Sequence, residues 1–193
     1  GFDIVICNPP YIDSDTMSNT IPQMRELYAR RYSTAKGNWD MFVVFVELVI
    51  RLTRNRGVYS FIVPNKLIAA KYAGKLREII KQGSILEIRD YGSVDVFTNA
   101  CVYPCTIIAS TTNEHEEVSF LKMKDKNDYE IRNSFSSKIF NDIEYWDIGF
   151  VRSSMFGVLK KYLSCSKIET LEKVEVLGAA TVSEAYKIRE VVL

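Results

Sequence analysis

The stretch that most constrains this chain is Phe2-Asp3-Ile4-Val5-Ile6-Cys7-Asn8-Pro9-Pro10-Tyr11, where an apolar run stops at an amide, two prolines and a phenol. Phe2, Ile4, Val5, Ile6 and Cys7 carry no helical punctuation, which predicts a strand buried on both faces of a parallel sheet. Each proline fixes its own φ, removes a donor and biases the preceding residue towards extended geometry. The Asn8 amide and the Pro9 carbonyl then form a rigid pair of acceptors at a strand's carboxyl end, where open α/β sheets bind ligands. Each can accept one N–H while Tyr11 offers a face for stacking, so the stretch suits a planar ring bearing an amino group. The same residue types equally suit a plain tight turn after a strand.

Downstream, 12–37 is polar and lacks a clean period, which predicts a mobile connection with one helical turn near Met24 to Arg31. Asn38-Trp39-Asp40 offers cap chemistry for a helix with Phe42, Phe45, Val46, Val49, Ile50 and Leu52 on its apolar side, stopped by Gly57. A strand over 58–63 closed by Pro64, a helix over 70–82 and strands over 85–91 and 101–110 follow, with a short strand over 118–123. That order predicts an α/β chain carrying the C-terminal half of a Rossmann-like sheet, with its last two strands antiparallel. Beyond Thr111 the character changes. Lys124 to Asp147 is mixed, a helix is expected over 154–164, and the alternation of β-branched and polar residues from Lys167 predicts strands of a new unit. The expected division is 1–150 and 151–193, the second being the start of a mixed α+β domain.

A length of 193 residues with 47% hydrophobic content allows a substantial core. No apolar run approaches the roughly 20 residues that span a bilayer and no signal peptide is legible, so the expected setting is cytoplasmic, without a membrane. A start at Gly1, directly before a core strand, is expected of a piece of a longer protein. Cys7, Cys101, Cys105 and Cys165 lack paired metal-ligand spacing, which predicts buried reduced thiols and no metal. The single histidine, His115, sits in an acidic turn and is not expected to act in catalysis. A net charge of +1 does not advertise a nucleic-acid surface, but charge is unevenly spread. Arg25, Arg30, Arg31, Lys36, Arg51, Arg54 and Arg56 outnumber Glu26, Asp40 and Glu47 between Ile21 and Gly57, whereas Asn113 to Phe150 is acidic. The basic segment beside the proline turn suits either phosphates or an ordinary solvated face.

Taken together, Asn8-Pro9-Pro10-Tyr11 after an apolar strand, the segment Trp39 to Gly57, the run Val58 to Asn65 ending Ile-Val-Pro-Asn, and Val96-Phe97 before Val102-Tyr103-Pro104 resemble gamma-class S-adenosylmethionine-dependent DNA N6-adenine methyltransferases. The resemblance is particularly to the large single-chain (type IIG) restriction-modification enzymes. It implies a Rossmann-like methyltransferase sheet, double-stranded DNA as partner and S-adenosylmethionine as methyl donor. It further implies catalysis by Asn8, Pro9, Pro10 and Tyr11, stacking of a flipped adenine on Tyr11 and Phe97, and cofactor contacts near Asp40 and Phe42. Residues 151–193 would begin a target-recognition domain. The glycine-rich cofactor loop and the acidic ribose-binding residue that the family places before its catalytic motif have no counterpart here. The chain alone is therefore expected to bind the methyl donor poorly and to be inactive. An RNA or protein-glutamine methyltransferase, or a non-catalytic DNA-recognition piece, would share these features.

Overall fold

In the computed structural model, which describes residues 1–92, 94–97 and 102–150 together with 155, 158 and 161, the chain runs β1 (Phe2–Cys7), α1 (Ser14–Thr20), α2 (Pro22–Arg31), α3 (Phe42–Leu52), β2 (Thr53–Pro64) and α4 (Lys66–Ala69). A 3-10 turn at Lys71–Ala73 leads into α5 (Gly74–Ile80), then β3 (Ser84–Asp90), β4 (Pro104–Ser110), β5 (Glu117–Met123), β6 (Tyr129–Ser136) and the short α6 (Ile139–Asp142), with a last 3-10 turn at Trp146–Phe150. Contacts divide the chain into units Gly1–Phe156 and Gly157–Leu193, and these elements belong to the first. Most of the expected helix over 154–164, with the strands from Lys167, Cys101 and Cys165, lies outside the described residues.

The six strands form one sheet in the order β1-β2-β4-β3-β5-β6. β1 and β2 are parallel, with Cys7 opposite Phe61. β4 returns antiparallel between β2 and β3, pairing Pro64 with Pro104 on one side and Asp90 with Cys105 on the other. The antiparallel pairing of the last two expected strands is therefore present, with the later strand inserted centrally. β5 runs parallel to β3, and β6 closes the sheet antiparallel to β5.

α3 is apolar on nearly all sides, burying Phe42, Val43, Val44, Val46 and Val49, and packs against β1, β2 and α5. Alternate residues of β2, Tyr59, Phe61 and Val63, are buried, each adding about 1.5–3 kcal/mol of apolar burial. Gly83 passes so close to β4 that a Cβ there would sit 2.0 Å from the Ser110 carbonyl oxygen.

Several expectations need correction. β1 is not buried on both faces: Phe2, Ile4 and Ile6, on one face, are 63%, 67% and 80% exposed, because no element among the described residues covers that face. The segment 12–37 holds two helices, not a loop with one turn. Asp13 starts α1 by accepting the Thr16 N–H at 2.7 Å, and Pro22 opens α2 without needing a donor. Asp40 does not cap α3 with its side chain, and the helix ends at Leu52, where the Thr53 hydroxyl returns to the Val49 carbonyl at 2.8 Å. Gly57 lies inside β2, beyond an irregular stretch where Arg56 takes a φ of 64°. The helix over 70–82 is a 3-10 turn plus the shorter α5, and β6 occupies part of the segment read as mixed.

Candidate active site

The parallel pairing of β1 with β2 brings the Asn8-Pro9-Pro10-Tyr11 turn beside the Pro64-Asn65 end of β2. Pro9 is buried, whereas Asn8 and Pro10 are exposed. The Asn8 side-chain amide has no hydrogen-bond partner among the described residues, so it remains available to a ligand. Tyr11 is half-buried and donates its hydroxyl to the Ile62 carbonyl at 3.2 Å, which fixes the ring across the end of β2. Burial, then the neighbouring Cys105, pushes the Tyr11 phenol up to about 12, so it is a neutral donor at ordinary pH.

Phe97, separated from Tyr11 by most of the sheet in sequence, comes to meet it. Their ring centroids are 5.9 Å apart with planes at 80°, an edge-to-face pair. In such a pair the ring that presents its edge keeps its own faces uncovered by the other. The two aromatics singled out for a planar substrate thus meet, and Tyr11 follows Asn8 by three positions in the chain.

The exit of the turn is held from α3's entry. The Met41 N–H donates to the Ile12 carbonyl at 2.9 Å, and the Ser14 N–H to Asp40 Oδ1 at 3.2 Å. Asp40 Oδ2 accepts from Lys66 Nζ at 3.0 Å and from the Tyr72 hydroxyl at 2.8 Å. Arg25 stacks over Trp39 at 5.0 Å and reaches the Ser14 hydroxyl at 2.9 Å and the Gly37 carbonyl at 3.1 Å. Asp40 is therefore the hub that ties α1 and α4 to the turn. Ser14, Lys66 and Tyr72 were not legible as its partners, since they come from distant segments; the one signal is Asn65-Lys66 directly after a strand-ending proline.

The residues fit S-adenosylmethionine only in part. Asn8 lies exposed at the strand tip, without a hydrogen-bond partner among the described residues. Phe42, however, is fully buried, with its ring 6.2 Å from that of Tyr72, and both Asp40 oxygens are engaged. Neither of these two presents a free group to a donor in this arrangement. His115 is exposed and gives its backbone N–H to Ser84 at the opposite end of β3 from Asp90. Cys7 and Cys105 are free thiols whose ionisation burial pushes up, and no metal-holding cluster occurs among the described residues.

An α/β sheet of this strand order, with an amide-proline-proline-aromatic turn at a carboxyl end, defines a methyltransferase-like chain. Residues 1–97 match the Eco57I restriction-modification methylase family, and the chain belongs to that family. It is 30% identical over 125 residues to the type II restriction enzyme and methyltransferase RM.Eco57I of Escherichia coli, covering 64% of this chain and 12% of the relative. The chain thus spans about an eighth of that relative's length. Among solved structures, the type IIG restriction endonuclease BpuSI superposes with a TM-score of 0.58 at 15% identity, over 97% of this chain and 27% of that one. A structure assigned to the class I S-adenosylmethionine-dependent methyltransferases from Listeria monocytogenes gives 0.50 at 20% identity, over 65% and 38%. The likeness to the second gives this chain a Rossmann-like methyltransferase fold. No helix among the described residues is long and apolar enough to cross a membrane.

Proposed function

We propose that this chain carries the amine-gripping side of a restriction-modification DNA methyltransferase that methylates adenine at N6. The observation that carries the reading is the exposed Asn8 amide at the tip of β1, without a hydrogen-bond partner among the described residues, three positions before a Tyr11 that pairs edge-to-face with Phe97. Family membership supports methylation of DNA; the amine specificity rests on the acceptor chemistry of Asn8 and Pro9.

An adenine stacked in a duplex cannot reach a turn at a strand end, so the base is flipped out, at a cost of a few kcal/mol. Stacking on Tyr11 and Phe97 offsets part of that cost. The N6 lone pair is delocalised into the ring and is a poor nucleophile. Asn8 Oδ1 and the Pro9 carbonyl each accept one N6–H, which draws the nitrogen towards tetrahedral geometry and stabilises the positive charge that develops on it. S-adenosylmethionine, when bound, supplies an electrophilic methyl group. Within this chain, residues 1–150 would serve the catalytic domain and 151–193 would begin target recognition.

The test is methylation of plasmid DNA by the full-length protein, read by mass spectrometry of released nucleosides. N6-methyladenine is the expected product. Methylcytosine alone, or methylation of RNA or glutamine without DNA, would overturn the reading.

A further inference from the structure

Phe97 can meet Tyr11 only if the segment after β3 is held in one path, and a single carboxylate sits where that path begins. Asp90, the last residue of β3, accepts the Gly92 N–H at 3.1 Å and the Asn65 side-chain amide at 3.3 Å, both on Oδ1. Gly92 has a φ of 48° with nothing within 4 Å of where a Cβ would lie, so it is a backbone turn rather than a packing site. Asn65 is itself fixed, its backbone N–H reaching the Tyr103 carbonyl at 2.7 Å and its carbonyl taking the Ile68 N–H at 2.8 Å. The Tyr91 N–H meets the Pro104 carbonyl at 3.0 Å, and the Val94 and Val96 N–H groups close successive short turns at 2.8 Å each. The Asp90 carboxylate therefore bridges the end of β2, next to the Tyr11 anchor at Ile62, to the start of the segment that delivers Phe97.

We infer that Asp90 and Asn65 are positioning residues for the substrate base: their shared hydrogen bond sets the Gly92 turn and thereby holds Phe97 against Tyr11. This rests on the reading of Tyr11 and Phe97 as the wall that receives a flipped adenine. Neither residue touches the base; both act through the Phe97 ring. Hydrogen bonds to a carboxylate are the stronger kind, which suits a short turn that no helix or strand supports.

The experiment is a double-mutant cycle in the full-length protein, using a duplex with adenine at the target position for the kinetics and a second with 2-aminopurine there, which lacks the N6 amine, for the emission. Methyl-transfer kcat, KM for DNA and 2-aminopurine emission are the readouts. Asp90→Ala is expected to lower kcat about tenfold and reduce the emission gain, leaving KM within about threefold, because a misplaced wall costs orientation more than duplex binding. Asp90→Asn keeps an Oδ1 acceptor for both donors and restores kcat to within about threefold. In a Phe97→Ala background, Asp90→Ala changes kcat by less than about twofold, since the group it positions is gone. Should Asp90→Ala fail to fold, Asn65→Ala breaks the same bridge from the other side and carries the same cycle. Full additivity of the two changes, or unchanged emission in Asp90→Ala, overturns the positioning role. If Phe97→Ala alone leaves kcat and emission at the unaltered level, it is the reading of the aromatic wall that fails.

Discussion

Asn8 and Tyr11 have separable duties that substitution resolves. Removing one of two preorganised acceptors from a developing charge costs about a hundredfold to a thousandfold in rate. In the full-length protein, Asn8→Ala is expected to lose at least that much single-turnover methyl transfer while duplex affinity, measured by filter binding, stays within about threefold. Unaltered transfer would remove Asn8 from the mechanism. In the proposed function Tyr11 works through its ring, while its hydroxyl donates to the Ile62 carbonyl. The phenol lies near 12 in the folded chain, above its ordinary value of about 10. A raised value means that its contribution to stability is fully present below about pH 10 and is lost as pH rises through about 12. Between about pH 7 and pH 10, Tyr11→Phe should therefore cost a constant amount, about 0.5–1.5 kcal/mol for the bond to Ile62, in thermal melts. The pair Tyr11 and Phe97 was legible because a motif and a resemblance both pointed to it. The role of Asp40 was not, since a carboxylate ahead of a helix reads as a cap and its actual partners, Lys66 and Tyr72, lie in a segment that only the fold brings near.

At the scale of elements, α3 and strands β1 to β5 were legible from apolar period and length, whereas α1 was not and α2 only as a single turn near Met24 to Arg31. α2 has no buried residue, so no apolar stripe could mark it. β6 was missed for a related reason: its inward side alternates Ile131, Asn133 and Phe135, and the buried Asn133 breaks the apolar signal. What holds the α1–α2 excursion to α3 is a buried charge. Glu47 on α3 accepts the Thr34 N–H at 2.9 Å, the Thr34 hydroxyl at 2.8 Å and the Ser33 N–H at 3.2 Å, and pairs with Arg51. Burial pushes its carboxyl up, but the Thr34 and Ser33 donors and the Arg51 charge outweigh burial and hold it below the usual range. A lowered value means stability that is present above the ordinary Glu value and lost as pH falls through the folded one. Glu47→Gln is expected to destabilise the fold by about 2 kcal/mol near neutral pH in denaturant titrations. The gap should narrow below about pH 4 as the native carboxyl gains a proton; a gap independent of pH would show that shape, not charge, is what Glu47 supplies.

For the whole molecule, the position of the turn and the antiparallel pairing of β3 with β4 were legible, but the central place of β4 in the sheet and the surroundings of β1 were not. Apolar residues predict burial only where layers exist to bury them, and a strand needs neighbours at both edges as well as over both faces. Phe2, Ile4 and Ile6 project to the same side by the two-residue period and all three are exposed, while Val5 and Cys7, on the other side, are partly covered where α3 packs against β1. A row of apolar side chains on a strand with one edge unpaired among the described residues is the kind of surface along which chains pair. The 193-residue chain, studied by itself in sedimentation velocity, is therefore expected to grow in apparent mass with concentration in the micromolar range. Replacing Ile4 and Ile6 together by Thr keeps β propensity, removes apolar surface and costs little stability at such exposed positions, about 0.5 kcal/mol each. The doubly substituted chain should then sediment as a monomer under conditions where the unaltered one associates. If both sediment alike, the stripe does not drive association, and the exposure of β1 has no consequence for the chain in solution.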